Sequence, residues 1–260
     1  MSHATLPGSL AGKRGLVLGI ANEHSIAAGC AQAFAAQGAV LAATYQNAKA
    51  RPYAAAVTDK LPCEILLPCD VEVPGELEAL FADITRRWGR LDFLLHSIAF
   101  APAADLHGRV VDCSAQGFAR AMDISCHSFL RAAKLAEPLM QAGGAMLAMS
   151  YQGAGRVIAQ YGLMGPVKAA LESVVRYAAA ELGPKGIRVN ALSPGPIATR
   201  AASGIADFSE LLDRAARMAP EGRLVTIEEC GALAAFLVSD AARMLTGSII
   251  PLDGGEHVLG

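Results

Sequence analysis

A tyrosine and a lysine stand seven positions apart in the segment YGLMGPVK, from Tyr161 to Lys168. A phenol can donate a hydrogen bond to an oxygen that gains negative charge, and an ammonium can bind sugar hydroxyls. At about 100° per residue, seven residues of α-helix make nearly two turns, so both side chains share one face. Pro166 is tolerated if it lies in the first helical turn, which places Tyr161 just before the regular helix. Such pairs also occur by chance on protein surfaces, so the surrounding fold must show whether this pair lies at a functional site.

The elements around the pair alternate between short apolar runs and longer amphipathic runs. Strands are predicted at Gly15–Gly19, Ala39–Tyr45, Glu64–Asp70, Leu91–Ala99, Gly144–Ser150, Ile187–Gly195 and Ser248–Gly255. Helices are predicted at Ser25–Gly38, Gly75–Gly89, 114–140, 161–182 and 226–239. Apolar strands separated by helices indicate a parallel sheet covered on both faces. The predicted fold is therefore α/β: residues 1–260 form a single Rossmann-type, doubly wound domain around a parallel seven-stranded sheet.

This architecture gives the Tyr161–Lys168 pair a meaningful position. In doubly wound folds, ligands bind beyond the carboxyl ends of the strands, and the pair follows the fifth predicted strand. A second tyrosine and lysine, Tyr45 and Lys49, follow the second strand, on the side where an adenosine would bind. We interpret this second pair as unrelated to catalysis.

Composition excludes several classes of partner. The net charge of −2 comes from interspersed acids and bases, which argues against binding to nucleic acid or to an anionic membrane. No apolar run approaches the roughly 20 residues of a membrane span, and the first residues lack the apolar segment of a secretory signal. The six cysteines form no CxxC motif, and no histidine cluster has metal-ligand spacing. We expect a reduced, cytoplasmic protein without a metal site.

The loops after the first two strands have features of a dinucleotide site. The segment GIANEHSIA, Gly19 to Ala27, is not GxGxxG, but Gly19 allows a tight turn and Ser25 can cap a helix whose amino terminus attracts a phosphate. An ordinary capped turn would look the same. After the second strand, Gln46 replaces the usual acid and can bind a ribose. Lys49 and Arg51 could meet a 2′-phosphate, but we interpret them as a solvated loop, which favours NADH over NADPH.

Taken together, these segments resemble the enoyl-acyl-carrier-protein reductases, divergent short-chain dehydrogenases with Tyr-x6-Lys in place of Tyr-x3-Lys. The resemblance covers nearly the whole chain. Each matching segment is weak alone, but their order and spacing are specific. The segments are GIANEHSIA, TYQN, CDV, HSIAFAP, SYQGA, YGLMGPVKAALE and GIRVNALSPGPIATRAASGI.

The resemblance implies a role for each matching residue. Tyr161, Lys168 and Tyr151 would be catalytic, although Tyr151 can also be read as a packed aromatic. The implied cofactor-binding residues are Gly19, Ser25, Ile26, Gln46, Asp70, Val71, Ile98, Ala99, Lys168, Ile197, Ala198, Thr199, Arg200 and Ala201. Acyl-binding candidates, which can also be ordinary core, are Phe100, Ala101, Met149, Met164, Ile205 and Phe208. A substrate-binding lid would lie around residues 197–217.

The implied reaction is NADH-dependent reduction of a trans-2-enoyl thioester. Tyr161 would donate a hydrogen bond to the thioester oxygen as it gains charge. Lys168 would hold the nicotinamide ribose and, by its charge, favour phenolate character in Tyr161. The proton for the α-carbon comes from Tyr161 or from water. Relatives of this kind are usually cytoplasmic homotetramers.

The chain departs from the family pattern on the helix after the lid. The segment IADFSELLDR supplies an acid, Glu210, where a basic patch would receive an acidic carrier protein, and Arg214 and Arg217 follow one or two turns later. The substrate carrier is therefore acyl carrier protein or coenzyme A. A specialised reductase for another activated alkene or carbonyl, and a nucleotide-sensing relative without activity, stay open as alternatives.

Overall fold

Seven parallel strands form the centre of the molecule. The computed structural model describes residues 9–159, 161–199 and 208–259. The strands are β1 (Arg14–Leu18), β2 (Val40–Tyr45), β3 (Cys63–Pro68), β4 (Phe93–His96), β5 (Gly144–Met149), β6 (Ile187–Pro194) and β7 (Ile249–Leu252). They form one sheet in the order β3-β2-β1-β4-β5-β6-β7, and each neighbouring pair is parallel. The predicted doubly wound fold is confirmed.

Helices cover both faces of this sheet. Their bounds are α1 (Ile26–Ala36), α2 (Arg51–Thr58), α3 (Glu76–Trp88), α4 (Ala103–Leu106), α5 (Ala115–Met122), α6 (Ser128–Ala136), α7 (Met164–Leu182), α8 (Phe208–Met218) and α9 (Ile227–Val238). Successive strand residues point to opposite faces, so Leu16 and Leu18 pack with α3, α6 and α7, whereas Val17 packs with α1, α2 and α9. The apolar pattern of each strand thus supplies two separate cores.

The predicted elements differ from the structure in two informative places. Arg51 lies in the first turn of α2 and not in a loop, so that part of the solvated-loop interpretation is wrong. The continuous helix expected over 114–140 is interrupted between α5 and α6 by a π-helical turn, Asp123–His127. Inside this turn, the Ser125 hydroxyl donates to the Phe100 carbonyl and accepts from the Phe100 amide, both at 2.9 Å. This exchange joins the turn to the loop after β4.

The strand order reverses between β1 and β4, which opens a crevice at their carboxyl ends. Gly19 follows β1 there with a φ of +100°, and a Cβ at this position would collide with the Ser97 carbonyl after β4. Glycine therefore lets the two loops approach closely. Among the described helices, none is both long and apolar enough to cross a membrane.

Candidate active site

Lys168 lies in the first half of α7 with its side chain buried against the end of β5. Only 5% of the residue is exposed, and its Nζ donates to the Met149 carbonyl at 2.6 Å. Burial lowers the pKa of Lys168 to about 8, and the negative charges nearby, including Glu172, only partly oppose this. An ammonium held at a strand terminus in this way can bind sugar hydroxyls at the mouth of the crevice.

Tyr161 lies before α7, because the helix begins at Met164. Pro166 is therefore in the first turn, where its missing N–H removes no helical hydrogen bond, and the predicted position of Tyr161 just before the regular helix is confirmed. Gly162 supports the approach with a φ of +50°, and a side chain there would strike the Leu106 carbonyl. The Tyr161 ring is thus set by a turn that only glycine fits well.

The rings of Tyr161 and Tyr151 pack together, with centroids 4.7 Å apart and planes tilted by 59°. Gly153 lies under both rings: a Cβ at this position would stand 2.5 Å from Cδ1 of Tyr161 and 3.3 Å from Cδ1 of Tyr151. The loop after β5 therefore places two groups against the Tyr161 ring: the Tyr151 side chain and the Gly153 backbone. Tyr151 is both a packed aromatic and a wall of the candidate site.

The protonation of Tyr161 differs from the sequence-based expectation. Burial raises the pKa of its phenol well above the ordinary value, and the neighbouring Tyr151 raises this pKa further. Lys168 does not draw the phenol toward phenolate, since its ammonium is turned to the Met149 carbonyl. The expected phenolate character is not supported by this shift and stays a prediction. A phenol that stays protonated at neutral pH is a hydrogen-bond donor, which suits an oxygen that gains negative charge.

Two polar pairs that sequence reasoning missed, one part-buried and one buried, support this region. The Ser150 hydroxyl, directly after β5, donates to Glu172 Oε1 at 2.6 Å, and Glu172 follows Lys168 by one turn of α7. His96, at the end of β4, is 1% exposed and its Nε2 lies 2.7 Å from the Ser128 hydroxyl. Burial and the nearby Lys168 lower the pKa of His96 to about 3, so the imidazole is neutral. The segment HSIA, which begins with His96, is the part of the sequence that could have identified this residue.

His96 also has a defined tautomer. The Ser128 hydroxyl gives its single proton to the Ile124 carbonyl at 2.6 Å, so it accepts from Nε2–H of His96. His96 Nδ1 is then an acceptor, and it is buried with no hydrogen-bond partner among the described residues. The bond to Ser128 links β4 to the first residue of α6, immediately after the π turn.

The residues predicted to bind a dinucleotide follow the ends of β1 to β4 and β6. Ser25 caps α1, with its hydroxyl 3.3 Å from the Ala28 amide, and Ile26 opens that helix. The other described candidates occupy the loops after the strands: Gly19, Gln46, Asp70, Val71, Ile98, Ala99, Ile197, Ala198 and Thr199. Arg200 and Ala201 lie outside the described residues. The topology thus places the described candidates at the same edge of the sheet as Lys168.

Two of these candidates contact each other. Gln46 Nε2 donates to Asp70 Oδ2 at 3.0 Å, which joins the loop after β2 to the loop after β3. An amide beside a carboxylate offers both donors and acceptors to ribose hydroxyls and a negative charge to a 2′-phosphate. With the capped helix α1, the close turn at Gly19 and the buried Lys168, these residues fit a dinucleotide, and they fit one without a 2′-phosphate better.

The acyl-binding candidates are only partly brought together. Met149 and Met164 are 7% and 6% exposed and belong mainly to the core. Ala101 packs at the core margin, and Phe100 is 39% exposed with the Arg120 guanidinium 4.6 Å from its ring centre. Phe208 begins α8, whereas Ile205 lies outside the described residues.

A cavity of about 350 Å³ adjoins Tyr151, between the loop after β5 and α8. Apolar groups on its walls come from both sides, namely Tyr151, Val157, Ile158, Leu211 and Met218. Gln152, Arg156 and Glu256 close another side. No local pattern predicted this polar wall, because Glu256 is 100 residues distant from Arg156 along the chain.

Comparison with known proteins gives a consistent result. The family model described as enoyl-(acyl carrier protein) reductase matches residues 19–257. Among curated proteins, the chain is 47% identical to the NADH-dependent enoyl-acyl-carrier-protein reductase 2 of Rhizobium meliloti, over 96% of this chain and 94% of that protein.

Solved structures agree with this result. The enoyl-acyl-carrier-protein reductase of Anaplasma phagocytophilum, in complex with NAD, is 41% identical with a TM-score of 0.93, covering 96% of each chain. The Bacillus cereus enoyl-acyl carrier protein reductase, solved with NADP+ and an indole naphthyridinone, is 42% identical with a TM-score of 0.94, covering 96% of this chain and 98% of that one. On the family match and these identities, the chain belongs to the enoyl-(acyl carrier protein) reductase family.

Proposed function

We propose that this protein is an NADH-dependent enoyl-acyl-carrier-protein reductase, which reduces the carbon–carbon double bond of trans-2-enoyl thioesters in fatty-acid elongation. The observation that carries the proposal is the arrangement of a protonated phenol, Tyr161, before α7 and a buried ammonium, Lys168, inside it. Family membership supplies the reaction class, and these two side chains supply groups that the reaction needs.

The residues of the chain divide the chemistry between them. When bound, NADH supplies the hydride that adds to the β-carbon of the substrate. Tyr161 donates a hydrogen bond to the thioester oxygen as that oxygen gains negative charge, and the raised pKa of Tyr161 keeps the proton on the phenol. Lys168 binds the hydroxyls of the nicotinamide ribose. Tyr151 packs on Tyr161 and restricts its ring.

The preference for NADH over NADPH follows from the loops after β2 and β3. The Asp70 carboxylate, bonded to Gln46, repels a 2′-phosphate at the adenosine ribose. The remaining cofactor contacts that we propose are the pyrophosphate on Gly19, Ser25 and Ile26, and the loops 98–99 and 197–201 along the nicotinamide half.

The catalytic unit proposed here is one dinucleotide-binding domain, residues 1–260, with a substrate-binding lid around 197–217. The acyl chain is proposed to lie against Phe100, Ala101, Met164, Ile205 and Phe208. For the whole protein, exposed apolar side chains such as Val111, Tyr177 and Met244 support a homotetramer. The free cysteines support a cytoplasmic location. Light scattering of the purified protein would test the tetramer.

One observation favours a second candidate, a specialised reductase that uses coenzyme A thioesters. The exposed positions of α8 carry Glu210 and Asp213 as well as Arg214 and Arg217, so this helix has no net positive charge for an acidic carrier protein. A coenzyme A thioester needs no protein docking surface.

The test is NADH consumption with a short trans-2-enoyl thioester on acyl carrier protein and on coenzyme A in parallel, with Tyr161→Phe as the matched variant. We expect faster turnover on the carrier protein and a loss of about 10²–10³ in kcat in Tyr161→Phe, with NADH still bound. Equal or better turnover on coenzyme A would favour the specialised reductase. Absence of turnover on both thioesters would refute the proposed reaction.

A further inference from the structure

The turn after β7 carries a buried acid, Glu256, that the proposed reaction does not use. A second acid in the same turn, Asp253, holds the turn in shape. Asp253, directly after the strand, accepts from the amides of Gly255 and His257 and pairs with the His257 ring at 2.8 Å. These bonds hold a compact turn that projects Glu256 away from the sheet. Glu256 is only 6% exposed, although the residues on either side of it are more accessible. A buried carboxylate requires partners.

Its partners lie in the loop that bears Tyr151. Glu256 Oε1 accepts from Arg156 Nη2 at 2.7 Å, and Oε2 accepts from Gln152 Nε2 at 3.1 Å. Arg156 Nη2 also donates to Gln152 Oε1 at 2.5 Å, so each of the three side chains bonds to both others. We refer to Gln152, Arg156 and Glu256 as the polar triangle. Arg156 further reaches the carbonyls of Glu256 and Leu259 at 3.5 and 3.4 Å.

The loop held by the polar triangle is short and connects directly to both tyrosines. Tyr151 precedes Gln152, and the amides of Ala154 and Gly155 close a tight turn onto the carbonyls of Tyr151 and Gln152 at 2.9 and 3.0 Å. Gly153, in the middle of this turn, lies against the Tyr161 ring. A shift of the loop would therefore move the surface on which Tyr161 rests.

We infer that Glu256 is a positioning residue, which acts through the loop 151–155 to fix the Tyr161 hydroxyl for hydrogen bonding to the substrate. The inference rests on the proposed function. Within it, the turn after β7 is the anchor, and the polar triangle ties the loop 151–155 to that anchor. The sensitivity of catalysis to small displacements makes such an anchor valuable.

The test is a double-mutant cycle between Glu256→Gln and Tyr161→Phe. Glu256→Gln keeps the shape of the side chain and removes the ion pair with Arg156. We expect kcat to fall about tenfold with the NADH dissociation constant within about twofold of wild type. In the Tyr161→Phe background the same change is expected to have less than about a twofold effect, because the hydroxyl being positioned is absent.

Two further variants keep this test decisive. Glu137→Gln removes an ion pair with Lys185, near the opposite ends of the strands, and is expected to leave kcat unchanged. Gln152→Leu cuts the triangle at the loop while leaving the Arg156–Glu256 pair, and it replaces Glu256→Gln if that variant does not fold. Wild-type kcat in both triangle variants, or an equal loss in wild-type and Tyr161→Phe backgrounds, would overturn the inference. Inactive wild-type enzyme would instead refute the proposed function.

Discussion

The loops after β1 to β3 and the region from β5 to α7 are built in different ways. In the first region, the functional candidates are separate turns, a helix cap and side chains, of which Ser25 and Val71 are buried, and Gln46 meets Asp70 in a solvated contact. In the second, Ser150 and Lys168 are each 5% exposed and lie within a connected set of buried contacts. A site that only binds tolerates independent contacts, whereas a site that places one hydrogen bond on a reacting oxygen needs its neighbours fixed.

The largest effect should come from Lys168→Met, which removes the buried ammonium and keeps the approximate volume. We expect kcat/KM to fall by at least about 10², since the ribose loses its charged partner. The Tm is expected to stay at or above that of wild type. The lowered pKa of Lys168 means that burying its charged form costs free energy of folding, and methionine carries no such cost. Steady-state kinetics and calorimetry measure the two quantities. A large loss of Tm would mean that the lysine is structural.

Gly153→Ala should come next, because the added Cβ meets the Tyr161 ring. Gly155→Ala, two residues later, is the matched control, since its Cβ would have no neighbour within 4 Å and its φ of −105° suits alanine. We expect kcat to fall about 10- to 100-fold in Gly153→Ala and to change less than about twofold in Gly155→Ala. Equal activities of the two variants would show that the loop does not set the tyrosine.

The pH dependence of kcat/KM gives the next effect, a decline of about tenfold for each pH unit above 8. Lys168 loses its proton as the pH rises through its pKa of about 8, so kcat/KM should decline there. Stability should move oppositely: between pH 8 and 10.5 the unfolded chain holds a proton that the folded chain has released, so the contribution of Lys168 to stability rises with pH.

Lys168→Arg provides the comparison for that profile, since a guanidinium stays charged throughout this range. The variant should keep a flat kcat/KM between pH 7 and 9, even if its maximum is lower. An identical decline in the variant would assign the titration to another group.

The same contrast between regions explains what the sequence could predict. Repeated apolar runs are local signals, so the seven strands, the doubly wound fold and the position of Tyr161 outside α7 were predictable, and the carboxyl-end rule located the candidate residues. The polar triangle was not predictable, because Glu256 and Arg156 are 100 residues apart and an acid near a surface turn is usually solvated. Neither was the raised pKa of Tyr161, since it depends first on the burial of the phenol and then on the neighbouring Tyr151.

The smallest effect should come from Asp70→Asn, in the region of independent contacts. The change keeps a hydrogen-bond acceptor for Gln46 and removes the negative charge that a 2′-phosphate would meet. We expect kcat/KM with NADH to change less than about threefold, while kcat/KM with NADPH rises about threefold to tenfold, because a charge near the surface acts through a high effective dielectric. The gain should shrink as salt is added. If instead NADH turnover collapsed as in Lys168→Met, the loops after β2 and β3 would be as interlocked as the region from β5 to α7, and the distinction between a binding side and a catalytic side would fail.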